Sequence, residues 1–172
     1  MTAAIFTAQL QLRPLMASDA GALHGIFGDP QAMAFWDTPA LSDAGYTASM
    51  IARQCAEQEA GSHCYWTARH RDAADVVGAF DLSDIAVPAA EVGFIVAPRY
   101  WHRGLAREAV AAVMAWGTAS LRLARFTARI HVGNQASAAL LMALGFRQTA
   151  RLAAAVVRDG RPRDCLIFER RV

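Results

Sequence analysis

Lysine is absent from this chain: all 17 basic residues are arginine. Genomic base composition, together with abundant alanine, accounts for that bias. It also means that amine chemistry on the protein itself is confined to its N-terminus. Charge of one sign is lacking too. Fifteen acidic residues against 17 basic ones leave a net +2, too little to imply a nucleic-acid partner. Cysteine is scarce. Cys55, Cys64 and Cys165 are odd in number and show no CxxC spacing, which argues against a disulfide framework or a zinc site and fits a reducing cytoplasm; no metal is expected. Long apolar runs are missing as well. The uncharged helical run from Ala109 to Leu121 falls short of the ~20 residues that a bilayer span needs, so no membrane is expected. Met1-Thr2-Ala3-Ala4-Ile5 carries no basic n-region and no cleavage site, so no secretory signal is expected.

No repeat, linker or low-complexity tract divides the 172 residues, and a single domain over 1–172 is expected. Hydrophobic residues make up 55% and charged residues 19%, a composition that excludes disorder. A chain of this size buries roughly 70% of its unfolded surface. Gln9 to Arg13 alternates polar and apolar and reads as a strand ended by Pro14. Ser18 to Phe27 reads as a short helix with Ser18 as N-cap, and Ser42 starts a longer one to about Ala60, stopped by Gly61. Strands follow at His63–Arg69, Val76–Leu82 and Glu91–Val96, the last ended by Pro98. A helix is expected from Gly104 to Ser120. Arg125–Val132 reads as a strand with Phe126, Ala128, Ile130 and Val132 on one face. Asn134 caps a helix closed by Gly145, and two last strands flank Asp159-Gly160, a hairpin signal. These elements predict an α/β (α+β) fold: a twisted, mixed, mainly antiparallel sheet of about seven strands with helices on both faces.

Two constellations carry chemistry. The first runs from Glu91 through Val92-Gly93-Phe94-Ile95-Val96 to Tyr100-Trp101-His102-Arg103-Gly104-Leu105-Ala106-Arg107. It is a strand, a loop and a helix start made of small residues. The first N–H groups of a helix lack internal partners and sit at the positive dipole end. The amides of Arg103, Gly104, Leu105 and Ala106 are therefore placed to cradle a pyrophosphate, with Arg103 or Arg107 adding charge. A simple tight turn explains the glycine equally well, and neither a Walker loop nor GxGxxG is present. The second is Asn134-x-x-Ser137, thirty residues beyond Gly104, one helix and one strand later. If the strands Glu91–Val96 and Arg125–Val132 are parallel neighbours, their C-terminal ends open a crevice that Asn134 and Ser137 share with Gly104.

Together these segments resemble the GNAT acetyltransferase superfamily, nearest to its ribosomal-protein N-terminal acetyltransferase-like (RimJ/RimL-type) branch. The likeness rests on Leu12-Arg13-Pro14-Leu15, Val92-Gly93-Phe94 before Pro98, Tyr100-Trp101-x-Arg103-Gly104-x-Ala106-x-Glu108-Ala109, Asn134-x-x-Ser137 leading to Leu144-Gly145-Phe146, and Asp159-Gly160-Arg161 before Asp164. The resemblance implies transfer of the acetyl group of acetyl-CoA to a primary amine, on a protein N-terminus or a small molecule, by direct attack on the thioester. It implies pyrophosphate on the amides from His102 to Ala106, and a pantetheine arm paired with Phe94, Ile95 and Val96 and held by Asn134. Glu91 would be the base and Ser137 the donor to the departing thiolate.

Each residue also has a plainer reading. Glu91 also reads as a solvated strand residue, Asn134 as a helix cap, Ser137 as an ordinary first-turn serine and His102 as a surface histidine. Many relatives use a tyrosine on the last helix as acid, and this chain has Leu140-Leu141-Met142 there. Phe35, Trp36 and Tyr46 fall where the resembled fold lines its acceptor cleft, or in the core. Asp37 and Asp43 could attract a cationic amine, or be a solvated surface. His63 and His131 are alternative bases, or structural. Two rival readings stand beside catalysis: a non-catalytic acetyl-CoA-binding domain, and an interaction scaffold. Exposed apolar residues would suit a homodimer.

Overall fold

The computed structural model describes residues 2–73 and 75–172. Among these residues, eight strands form one sheet in the order β1-β2-β3-β4-β5-β6-β8-β7: β1 (Ile5–Phe6), β2 (Leu10–Pro14), β3 (Cys64–His70), β4 (Val76–Ala86), β5 (Ala89–Val96), β6 (Arg125–His131), β7 (Arg147–Arg158) and β8 (Arg161–Arg171). The expected seven become eight because Ile5–Phe6 also pairs with β2. Two residues are too few for alternation to reveal. Four α-helices accompany the sheet: α1 (Ala20–Phe27), α2 (Ala44–Glu59), α3 (Leu105–Leu121) and α4 (Gln135–Ala143).

Every neighbouring pair is antiparallel except β5 and β6. That parallel pair holds for three residue pairs only, Ala89 with Arg125, Ala90 with Phe126 and Glu91 with Thr127. Beyond it the two strands part. Asp159 and Gly160 both take positive φ, 53° and 69°, the primed turn that a tight hairpin of right-twisted strands requires.

The sheet is apolar on both faces. On one, α3 sets Val110, Val113 and Met114 against Trp66, Phe80, Leu82 and Phe126, all 3% exposed or less. On the other, Leu23 and Phe27 of α1 and Ile51 of α2 cover Val76 and Ile95. Phe126, Ala128 and Ile130 face inward as expected. Val132 does not: it lies past the end of β6 and is exposed, because the chain turns there toward α4.

Two expected caps move by one residue. Ser18 lies inside a 3-10 turn, Ala17–Asp19, that precedes α1. Asp43, not Ser42, caps α2, its carboxylate accepting from the Gly45 N–H at 2.6 Å. Asp19 does larger work. It is fully buried and accepts from the Thr67 hydroxyl at 2.9 Å and the Met16 N–H at 3.1 Å, and it is ion-paired with Arg13 and Arg69. One carboxylate thus ties the start of α1 to β2 and β3. Asp19→Ala should cost about 3 kcal/mol or more, because it strands a buried hydroxyl and removes the arginines' counter-charge. Urea unfolding of the variant checks it, and a loss under about 1 kcal/mol would refute the tie.

Candidate active site

Where β5 and β6 part, a cleft of about 740 Å³ opens between the start of α3, the start of α4 and the loop after α1. At its inner end it joins a smaller pocket of about 200 Å³, and Phe35, Trp36, Phe94, Asn134 and Ser137 line both.

Gly104 is the N-cap of α3 with φ 76° and ψ −6°, a left-handed backbone that glycine adopts without strain. A Cβ there would meet nothing within 4 Å, so the backbone is approachable from the cleft. His102, Gly104, Leu105, Ala106 and Arg107 line the cleft, as do Phe94, Ile95 and Val96. Arg103 does not line it; its guanidinium lies over the Tyr100 ring, 5.6 Å from the centroid. The Trp101 indole N–H donates to the Val96 carbonyl at 2.8 Å, so one acceptor of that strand is already engaged. Asn134 is a cap: its Oδ1 accepts from the Ser137 N–H at 3.1 Å. Both side chains nevertheless line the cleft and the inner pocket.

Glu91 lines the inner pocket with Asp81, Ser83, Asp37, Arg129 and His131. Burial pushes the Glu91 carboxyl above its ordinary range; Asp84 and Asp37 add to this, and Arg129 opposes it. Asp81 is pushed up further, to about 7, by burial and by the charge of Glu91, against a hydrogen bond from Ser83. Asp37 goes the other way. Burial alone would raise it, but hydrogen bonds from Arg129 and His131 hold it low. Arg129 spans both Asp37 oxygens at 3.2 and 2.8 Å, and His131 Nε2 lies 2.9 Å from Oδ1.

Among the other candidates, Phe35 and Trp36 wall both cavities, while Tyr46 is 66% exposed and lines neither. Asp43 is spent on its helix cap. His63 stacks on Tyr65 outside both cavities. Sequence reasoning missed Asp81, Arg129 and Arg158. Arg158 sits at the end of β7, and its Nη1 donates to the carbonyls of Met33, Ala34 and Trp36 at 2.8, 2.7 and 3.0 Å. No sequence pattern links it to a loop more than 120 residues away. For Asp81, an acidic residue inside the otherwise apolar run Val76–Leu82 was the available signal.

The loop carrying Phe35 and Trp36 is thus fastened at two points, Asp37 to β6 and its carbonyls to Arg158. Arg158→Ala should free those carbonyls and speed amide exchange across residues 31–38 by at least about tenfold, with α3 and β6 unchanged. Exchange measured by mass spectrometry checks this, and unaltered protection would remove Arg158 as the fastening.

Comparison with known proteins agrees with this geometry. A family model described as an acetyltransferase (GNAT) domain matches residues 9–147. A Bacillus subtilis (strain 168) protein named as the uncharacterized N-acetyltransferase YoaA is 26% identical over 164 residues, covering 94% of this chain and 93% of the relative. Among solved structures, RimL, a ribosomal L7/L12 alpha-N-protein acetyltransferase in complex with coenzyme A, superposes with a TM-score of 0.88 at 19% identity, covering 98% of each chain. A spermidine N-acetyltransferase from Vibrio cholerae in complex with CoA and spermine gives a TM-score of 0.83 at 18% identity, with 96% of each chain covered. The chain belongs to the GNAT acetyltransferase family.

Proposed function

We propose that this GNAT-family chain transfers the acetyl group of acetyl-CoA to a primary amine at the junction of the two cavities, and that residues 1–172 act as one domain. The observation that carries the reading is the early parting of β5 and β6 opposite a glycine-led helix. It leaves unpaired strand backbone, bare helix-start amides and an acidic pocket in one continuous space. These features suit a long, phosphate-bearing cosubstrate. The open space at the Gly104 Cα fits a group that lies close to the backbone. Acetyl-CoA would supply an acyl group activated toward a nucleophilic amine.

In this proposal the amides of Gly104, Leu105 and Ala106, with His102, Arg103 and Arg107 around them, hold the pyrophosphate. Backbone groups of Phe94, Ile95 and Val96 and the Asn134 side chain hold the pantetheine arm. Glu91 takes a proton from the acceptor amine, directly or through one water, and its raised proton affinity suits a base working near neutral pH. Ser137, at the junction, donates toward the sulfur. Acceptors of the neighbours named above, a ribosomal protein N-terminus and spermidine, support an amine of either kind here. The names of the relatives as N-acetyltransferases favour catalysis over a purely binding role. The three cysteines are free thiols, which suits the cytoplasm. Pairing of two copies through exposed apolar side chains such as Leu152 and Val157 on edge strand β7 is part of the same proposal.

Calorimetry with acetyl-CoA, with AMP as control, tests the cosubstrate. One-site binding much tighter than to AMP is expected. Gly104→Glu should weaken it by at least about a hundredfold, by setting a carboxylate and a strained backbone at the phosphate cradle. Equal affinity in a folded variant would sink the cradle. Glu91→Gln should lower kcat by about 10²- to 10⁴-fold with little change in the KM for acetyl-CoA. The sign for the wild type follows from the raised carboxyl. The ionised form is the base, so turnover falls as pH drops through that raised value, above the ordinary carboxylate range, and the glutamine variant loses the part of this limb that Glu91 sets.

A further inference from the structure

Asp81 lies on β4 directly opposite Gly93 of β5, and Ser83 lies opposite Glu91. A direct cross-strand pair and its diagonal neighbour share one face of a sheet, so Asp81 and Glu91 stand on the same face, one pleat apart. A Cβ at position 93 would collide with the Asp81 carboxylate. The glycine makes room for that side chain beside the strand. Both carboxylates line the inner pocket, and Arg129, the guanidinium lining it, is already spanned by Asp37. Neither Asp81 nor Glu91 forms an ion pair among the described residues. His131 lines the same pocket, is 3% exposed, and engages Asp37 through Nε2, while its Nδ1 is buried with no hydrogen-bond partner.

We propose that Asp81 is a second proton-accepting residue of this site, holding the acceptor's ammonium together with Glu91 and taking its proton. The inference rests on the amine-acetylation reading above. A primary amine is mostly ammonium at neutral pH, with a pKa of about 8 for an α-amino group and about 10 for an alkylamine. It cannot attack until it loses a proton. The step is a proton transfer: an N–H bond of the ammonium breaks, an O–H bond forms on Asp81, and the nitrogen keeps the electron pair. Protonated Asp81 then returns the proton to solvent through the open cleft. The groups around Asp81 are Tyr65, in register with it on β3 and donating to Glu57 of α2 at 2.7 Å; Glu91 on β5; Arg129 and His131 on β6; and Asp37 on the loop. His24 of α1 is turned to Thr47 of α2. Burial, with the added negative charge of Glu91, keeps Asp81 avid for a proton against the hydrogen bond from Ser83.

The test has two readouts. The first needs no substrate: carboxyl carbon NMR across pH on the free full-length protein. One side-chain carboxyl should titrate near 7, vanish in Asp81→Asn, and titrate lower in Glu91→Gln, which removes the like charge. An Asp81 carboxyl titrating near 4 would overturn the proposal. The second is the pH profile of acetyl transfer to two probes, a tripeptide with a free N-terminal alanine and spermidine. Asp81→Asn should lower kcat/KM for the amine at least tenfold and move the acid limb, with acetyl-CoA affinity by calorimetry within twofold of wild type. A profile of wild-type shape, whether at full height or uniformly lowered, would also overturn it. If Asp81→Asn does not fold, the Glu91→Gln titration carries the test, and a titration that does not move down refutes the pairing. Wild-type protein that transfers acetyl to neither probe counts against the functional reading instead, and the titration of the free protein tells the two failures apart.

Discussion

Three residue pairs of parallel ladder decide what this molecule can do. β5 and β6 are joined at Ala89, Ala90 and Glu91 and then separate. Separation in mid-sheet is costly, because each strand then carries backbone donors and acceptors without partners. The cost is met from both ends. Below the split, Phe126 and Ala128 of β6 are packed under α3, and β8 pairs with β6 along its whole length. Above it, α3 and α4 begin at the opening, so their first amides face the same space as the idle strand edge. A single topological departure therefore gathers strand backbone, helix-start amides and polar side chains around one cleft.

The inner pocket shows the opposite economy. Stable folds keep carboxylates in water or pair them, as Asp19 is paired with Arg13 and Arg69. Here Asp81 and Glu91 are drawn inward without ion pairs among the described residues, and burial raises both. The cations nearby go to Asp37, whose carboxyl stays low. Carboxylates with divided fates in one pocket separate a structural role from a chemical one. Asp37 fastens the loop that carries Phe35 and Trp36, and Arg158 fastens the same loop from the far hairpin. The wall of the site is held by elements remote in sequence.

Local signals were legible where the physics is local. Asn134, Gly145 and Asp159-Gly160 were readable because caps, helix ends and tight hairpins depend on a few adjacent dihedrals. The Gly104 turn and the apolar face of Phe126, Ala128 and Ile130 were readable for the same reason. Ser18 and Ser42 misled because a neighbouring aspartate competed for each cap position. Asp19 took a tertiary partner set, and Asp43 bonded Gly45. Val132 misled because alternation does not mark where a strand stops.

The sequence by itself determined the order of the elements after the two-residue first strand, the glycine-led helix start, and the presence of Glu91 on one strand and of Asn134 and Ser137 at the start of the helix after the next. Those are matters of periodicity and short-range backbone geometry. Only the tertiary structure decided which charges meet. Asp81 stands diagonally beside Glu91 because β4 and β5 pair in one register. Asp37 reaches Arg129 and His131, and Arg158 reaches Met33, because the chain returns over the sheet after 92 to 125 residues. Carboxyl proton affinities depend on burial and on neighbours at a few ångströms. Such neighbours are set by packing, and no spacing along the chain encodes them.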